Sequence, residues 1–417
     1  MAGLEGLFAV ERDAMAFETF SANFLDDRDL PIGKFSWPSW LEKRAWPIDE
    51  LLVQNLERLK GLEGGVQVLG GGPPCQGFSF AGRRDEADPR NLLFEKYVDV
   101  VKAIKPSVLV LENVPGMRVA HSIKGPSRGG AVPESYFEKL KRSLEDVGYE
   151  VHGELIDASR FGVPQRRNRL IVIGLQRHLS AVLEGGVKQF FGMLENVRNE
   201  QLKELGLPEK IPVCEALSDL TSERKSLRPC LDPYSPKGFQ EIDYQGPLSL
   251  YERLMHLGCS DDAMDSMRLA RHGVDVRQRF EAILRECPRG VRMNDANRKQ
   301  YGTKKHRVYP MDPWEPAPTI TTLPDDVLHY SEPRILTVRE SARLQSFPDW
   351  FQFRGKFTTG GDRRMKECPR YTQVGNAVPP LLARAIGLTL KLVLDAVRVD
   401  VDLNGFPDSF CENEVVA

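Results

Sequence analysis

Short apolar runs alternating with amphipathic stretches organise residues 1–177. Val66 to Leu69 and Val108 to Leu111 are continuous apolar runs of strand length, and each reads as a buried strand. Further strands are predicted around Val151 to Asp157 and at Leu170 to Gly174. Near the start, a helix end at Leu4 to Glu5 and a turn at Gly6 lead into a strand at Leu7 to Val10 that ends on Glu11. Between these runs, apolar residues at helical spacing predict helices over Ala14 to Asn23, Ile48 to Leu62, Leu92 to Ile104 and Ser135 to Val147. The third stops at Lys105-Pro106, because a proline disfavours helical geometry in the residue before it. Alternating strands and helices predict an α/β sheet with helices packed on its faces.

Beyond residue 177 the rhythm breaks. His178 to about Lys210 is helical and mixed in charge, and Ile211 to Leu220 is an ordered segment. The following stretch, to about residue 330, has short apolar runs and many turn residues, among them Pro229, Pro233, Pro236, Gly238 and Gly246; it reads as a separate, loop-rich domain. Scattered through it are Arg268, Arg271, His272, Arg277, Arg298, Lys304, Lys305 and Arg307. A helix over Thr337 to Gln345 resumes the pattern, and Gln373 to Pro380 opens an apolar helix, Leu381 to Val397. The last ~20 residues lack periodicity and read as a frayed tail. The expected division is a catalytic domain from 1–177 plus 371–400, a helical insertion at 178–220, a recognition domain at 221–335, a return segment at 336–370 and a tail at 401–417.

Composition narrows the class. With 417 residues, 28% charged, and a net charge of -2, nucleic-acid binding would have to come from local clusters of Arg and Lys. Seven cysteines without CxxC spacing argue against a disulfide scaffold and against a metal site, and suit a reducing cytoplasm. No stretch approaches ~18 apolar residues, so no membrane role is expected.

The candidate chemistry sits at strand ends. After the run at Val66 to Leu69 come three glycines, two prolines and Cys75, in LGGGPPCQGFSF. A buried structural cysteine needs neither the glycine turn nor the rigid Pro-Pro bracket, whereas a nucleophile held at the carboxyl end of a strand uses both. Residues Ala81 to Arg90, with Arg83, Arg84 and Arg90, read as a basic lid over a phosphate backbone. Glu112 ends the Val108 run, where partial desolvation would raise its pKa and suit it to hold a proton. Arg166, Arg167 and Arg169, three arginines in four residues, read as an anion and carbonyl clamp. Glu11, at its predicted strand tip, suits ribose hydroxyls.

Together these motifs resemble a DNA (cytosine-5) methyltransferase. GGPPCQGFS around Cys75, ENV at Glu112 to Val114, QRRNR at Gln165 to Arg169, RESARLQSFPDWF at Arg339 to Phe351 and GNAVPP at Gly375 to Pro380 stand in that family's order. The resemblance implies a Rossmann-like, S-adenosylmethionine-dependent α/β fold with a smaller loop-rich target-recognition domain. It implies that Cys75 attacks C6 of a cytosine flipped out of double-stranded DNA, that Glu112 acts at N3, and that Arg167 and Arg169 bind the base carbonyl and nearby phosphates. S-adenosyl-L-methionine would be held by Glu11 at its ribose, by Pro74 and Leu93, and by Asn376, Ala377 and Val378 near its methionine end. A monomeric, cytoplasmic, nucleoid-associated enzyme, either solitary or accompanied by a cognate restriction endonuclease, is the implied setting. A catalytically silent DNA-binding remnant is the alternative. A tRNA cytosine-5 methyltransferase on the same fold suits the Cys-Gln-Gly-Phe loop and the sizeable recognition region less well.

Two departures from the family bear on this reading. The family's opening strand and glycine-rich FxGxG turn have no counterpart, since Ala2-Gly3-Leu4 resembles the end of the helix that should follow them. The sheet is therefore expected to lack its central first strand, as in a truncated copy of an active enzyme or a remnant that binds cofactor poorly. Pro47-Ile48 also stands where the family has Asp-Ile beside the adenine.

Overall fold

The structure, a computed structural model, describes residues 2–26, 33–73, 93–119, 135–223, 225–260, 264–303, 305–359, 363, 366–404 and 415–416; of residues 399–404 and 415–416 it describes the backbone. In chain order the first elements are β1 (Glu5–Gly6), α1 (Ala14–Phe24), α2 (Ile48–Lys60), β2 (Val68–Gly71), α3 (Leu93–Ile104), β3 (Val108–Asn113), α4 (Tyr136–Glu145), β4 (Tyr149–Asp157) and β5 (Asn168–Gln176). They are followed by α5 (Arg177–Ser180), α6 (Gln189–Leu205) and α7 (Val213–Leu217). The loop-rich part holds β6 (Leu227–Pro229), β7 (Gln240–Ile242), α8 (Leu250–His256), α9 (Val274–Glu286), α10 (Asp295–Gln300), β8 (Tyr309–Pro310) and β9 (Val327–Leu328). The chain closes with α11 (Val338–Leu344), α12 (Arg370–Asn376), α13 (Pro380–Asn404) and β10 (Val415–Val416).

Six strands form one sheet in the order β1-β10-β2-β3-β5-β4. β2 and β3 are parallel, with Gly71 opposite Leu111, and β5 turns back antiparallel to both β3 and β4. Alternation along the strands sorts the side chains into two layers. Leu69, Leu109, Leu111, Val151 and Val172 face α2, α3 and α4, while Val108, Ile171, Ile173 and Leu175 belong to the core shared with α6 and α13. Helix starts follow local chemistry: Asp13 accepts from the N–H groups of Met15 and Ala16 at the head of α1, and Ser135 from that of Glu138 at the head of α4. Among the described residues, no single helix is long and apolar enough to cross a membrane.

Several expectations are corrected. Leu7 to Val10 forms no regular strand; Phe8 is instead buried against Trp37 and Trp40, whose rings stand edge-on to it at 6.4 and 6.1 Å. The apolar run expected at Val66 to Leu69 pairs two residues later, as Val68–Gly71. Residues 178–220 do not stand apart: Phe190, Leu194 and Leu202 join Phe161, Leu381 and Ala385 in one core, and Gln201 Nε2 donates to the carbonyls of Phe161 and Leu381. The end of the chain is not simply a tail, since α13 runs to Asn404 and Val415–Val416 enters the sheet.

The region 221–335 has a small core of its own, Ile283, Leu284, Cys287, Met293, Val308 and Leu328. It is joined to the chain that follows by buried ion pairs, Arg339 of α11 with Asp265 and Arg370 at the head of α12 with Asp232. Arg343 is fully enclosed, with Asp219 at 3.0 Å on one side and Asp349 at 2.6 Å on the other. Arg334 pairs with Glu340 at 2.7 Å, and the same glutamate closes a capping box with Thr337. The basic residues scattered here are largely committed internally. Arg268 lies between the rings of Phe239 and Phe357, 4.2 and 3.8 Å from their centroids, and Lys305 pairs with Asp325.

Candidate active site

The carboxyl ends of β2 and β3 meet at one edge of the sheet. Because the two strands are parallel and in register to Gly71 and Leu111, the turn after β2 lies beside the residues that end β3. A Cβ on Gly72 would stand 3.7 Å from the Glu112 carbonyl oxygen and 3.9 Å from its carboxylate Oε2. Asn113 Nδ2 donates to the Pro73 carbonyl at 3.0 Å, while Asn113 Oδ1 accepts from the Val114 N–H at 2.9 Å. One side chain thus fixes both the turn and the exit of β3. Pro74, Cys75 and the basic stretch Ala81 to Arg90 lie outside the described residues; the chain leaves the described turn at Pro73, two residues before Cys75.

Glu112 and Arg169 are brought together by strand register. Ile171 stands opposite Glu112 across the antiparallel β3–β5 pair, so the two share a face, and Arg169, two residues from Ile171, shares it too. Arg169 Nε reaches Glu112 Oε1 at 2.5 Å, with the side chains 11% and 17% exposed. Burial lowers the Arg169 guanidinium from its ordinary value, and the Glu112 charge works against that shift.

The same alternation divides the expected three-arginine clamp. Gln165, Arg167 and Arg169 turn inward, Arg166 and Asn168 outward. Arg167 is fully buried, its Nη1 donating to the Ile320 carbonyl at 3.0 Å and its Nη2 to those of Gly375 and Ala377 at 2.8 and 3.0 Å. Its Nε is enclosed and has no partner among the described residues. Burial, with the nearby charge of Arg169, lowers this guanidinium to about 9. Arg167 is therefore an internal tie between three loops, not a group presented to a base or a phosphate. Arg166 is exposed and reaches the Gly290 carbonyl at 3.4 Å.

The Glu11 main-chain oxygen accepts from the Trp46 N–H at 2.8 Å, which sets Glu11 beside Pro47-Ile48. Its carboxylate Oε1 accepts from the Asp13 N–H at 2.8 Å; burial raises the carboxyl's pKa, and that hydrogen bond opposes the shift. Cys368 lies close enough to feel Glu11 and Asp13, and its thiol is pushed up to about 12, chiefly by burial. Leu93 opens α3 half-buried, Asn376 ends α12 exposed, and Ala377 and Val378 are half-buried in the turn to α13.

One participant escaped sequence reasoning. The segment Ile320 to Thr322 supplies a carbonyl to Arg167, accepts no side chain at Gly375, and donates the Ile320 N–H to Gln165 Oε1 at 2.8 Å. A Cβ on Gly375 would overlap the Thr321 carbonyl and the Thr322 nitrogen, so only glycine lets these backbones meet. The available signal was an uncharged, β-branched run, Thr319 to Thr322, flanked by Pro316, Pro318 and Pro324.

The chain matches the model of the C-5 cytosine-specific DNA methylase family over residues 1–392. It is similar to the type II methyltransferase M.DdeI of Desulfomicrobium norvegicum, 30% identical over 417 residues that cover 97% of this chain and 87% of the relative. It is similar also to the type II methyltransferase M1.HphI of Haemophilus parahaemolyticus, 30% identical with 92% and 80% of the two chains covered. Among solved structures, a putative DNA modification methyltransferase encoded within an E. coli prophage superposes with a TM-score of 0.59 at 22% identity over 94% of each chain. That likeness bears out the expected α/β methyltransferase fold. With the family model matched from the first residue into α13, the chain belongs to the C-5 cytosine-specific DNA methylase family.

Proposed function

We propose that this chain methylates C5 of a cytosine flipped out of double-stranded DNA, with Cys75 as the nucleophile. The observation that carries the reading is the meeting, at one sheet edge, of the Glu112–Arg169 pair with the Gly72–Pro73 turn that leads to Cys75. The thiolate adds to C6, and the electron pair displaced from the C5–C6 bond must be accommodated. Glu112 does this by sharing a proton with N3. Arg169 fixes Oε1, while Oε2 has no partner among the described residues and faces the turn. Once C5 carries the new methyl group, loss of its proton returns the electron pair to the C5–C6 bond and releases Cys75.

The residues present suit S-adenosyl-L-methionine. Glu11 offers a partly desolvated acid for the ribose hydroxyls, and Arg167 holds the carbonyls of Gly375 and Ala377 on either side of the exposed Asn376. Leu93 and Pro74 would line the same site. When bound, the cofactor supplies an electrophilic methyl group on a sulfonium centre. Sequence choice is assigned to residues 221–335 through base-edge contacts. Relatives named type II methyltransferases support pairing with a cognate restriction endonuclease.

Duplex DNA in which the target cytosine carries fluorine at C5 tests the covalent step, because that position has no proton to lose. The expected result is an adduct that survives denaturation with the native chain and is absent with Cys75→Ser. An adduct formed equally by both would contradict the assignment.

A further inference from the structure

Two helices carry the residues assigned to the two ends of the cofactor. Glu11 stands just ahead of α1, where the N–H of the cap Asp13 donates to its carboxylate, and Asn376 is the last residue of α12. The helices touch directly, Thr19 Oγ1 donating to Gln373 Oε1 at 2.7 Å. The loop between β6 and β7, which belongs to the loop-rich region, reaches both of them. Asp232 accepts two bonds from Arg370 at the head of α12, Nη1 to Oδ2 at 2.6 Å and Nη2 to Oδ1 at 3.0 Å. Two residues further on, the Tyr234 hydroxyl donates to the Glu18 carboxylate on α1.

We infer that Asp232 is a positioning residue for the cofactor: with Tyr234 it clamps α1 to α12 and so sets the spacing between Glu11 and Asn376. The inference rests on the proposed roles of those two residues. The grip on α12 is directional, because a two-point guanidinium–carboxylate pair fixes orientation as well as distance. Arg370 is 1% exposed, and its remaining donors are engaged, Nε with the Gly355 carbonyl at 2.9 Å and Nη1 with Ser266 Oγ at 3.0 Å. A cation so enclosed cannot turn to water when its carboxylate is lost. Asp232 Oδ1 also accepts the Tyr234 N–H at 2.9 Å, so one carboxylate holds both jaws of the clamp.

Aromatic rings seat the rest of the loop. The Arg370 guanidinium lies 4.4 Å from the centroid of Phe357 and 5.5 Å from that of Tyr234. Phe357 is shared with Arg268, whose second ring, Phe239, ends the loop, and the Phe239 carbonyl accepts from the Cys230 N–H at 3.0 Å. The other loop side chains do not fill a core: Leu231 is 87% exposed, and Pro233, Pro236 and Lys237 face solvent. What the loop turns inward is what grips the helices. α12 is thus held at its head by Asp232 and at its far end by Arg167, which fixes where Asn376 stands.

Substitutions in the full chain test this by amide hydrogen exchange and by calorimetric binding of S-adenosyl-L-methionine. Asp232→Asn should weaken cofactor binding by about tenfold or more, and Tyr234→Phe by about threefold. Both should speed exchange across Gln373–Asn376 while leaving Ile171–Ile173 protected. Asp232→Glu, which keeps the charge, should restore most of the cofactor affinity, and duplex binding by the cofactor-free variants should stay close to native. Where Asp232→Asn does not fold, Tyr234→Phe decides, since it keeps the ring and loses one hydroxyl. Native cofactor affinity in the folded variants, or unchanged exchange along α12, would overturn the inference. Faster exchange along α12 in a protein whose native form binds no cofactor would count against the proposed function and leave the clamp standing.

Discussion

Arg169 Nε and Glu112 Oε1 stand 2.5 Å apart on one face of the sheet, diagonal across the β3–β5 pair. The pair orients a carboxylate and leaves its second oxygen toward the turn that leads to Cys75. Glu112→Gln keeps the shape and removes the exchangeable carboxyl, so single-turnover methyl transfer should fall by about 10²–10⁴-fold. Duplex binding by filter retention should change little. Equal loss of both would mean that the carboxyl holds the fold and not the base.

Arg167 separates two roles that the sequence alone merges. As an internal tie, Arg167→Met should leave the carbonyls of Ile320, Gly375 and Ala377 unpaired and cost on the order of 3 kcal/mol in denaturant unfolding. Cofactor affinity should drop, because the 375–377 turn loses its anchor. The salt dependence of DNA binding should keep its slope. A residue clamping a phosphate would instead lower that slope by about one when removed.

Asn113→Ala removes the hydrogen bond to the Pro73 carbonyl. The expected cost in stability is about 0.5–1.5 kcal/mol. Adduct formation on the 5-fluorocytosine duplex should slow, since the turn before Cys75 is less firmly held. Cofactor binding measured by calorimetry should remain as in the native chain.

The Arg343 network gives a pH prediction. Burial pushes the Asp349 carboxyl up, but the Arg343 guanidinium and the hydrogen bond with His256 outweigh it and hold the group at about 2. Burial raises Asp219, on the other side of the same guanidinium, so the two acids share one cation unequally. Because Asp349 titrates lower in the folded than in the unfolded chain, its contribution is present above about pH 4 and is lost as pH falls through about 2, roughly 2 kcal/mol in all. Arg343→Met should remove that acid limb and destabilise the protein by about 3–5 kcal/mol at neutral pH, since the buried Asp349 carboxylate loses its cation.

What could be read from the sequence follows from the range of the forces involved. Local patterns were legible: the Val108 run with Glu112 at its end, and the helices from α1 to α4. Alternation in Gln165 to Arg169 was available too, but three arginines suggest a solvated or ligand-facing surface, and nothing local shows that one lies sealed against three carbonyls. Arg343 and Asp219 are 124 positions apart, a pairing that no periodicity reveals. Phe8 left the expected strand because aromatic packing on Trp37 and Trp40 is a tertiary effect. Two residues, Val415 and Val416, are too few to form a pattern, so their place inside the sheet is visible only in three dimensions.

The central claim is tested most directly by transfer of a labelled methyl group from S-adenosyl-L-methionine to mixed-sequence duplex DNA, followed by identification of the modified base. The native chain should place the label on C5 of cytosine, and Cys75→Ser should abolish transfer while still binding the duplex. Label on an exocyclic nitrogen, undiminished transfer by Cys75→Ser, or no transfer by a folded native chain that binds both cofactor and DNA would contradict the account.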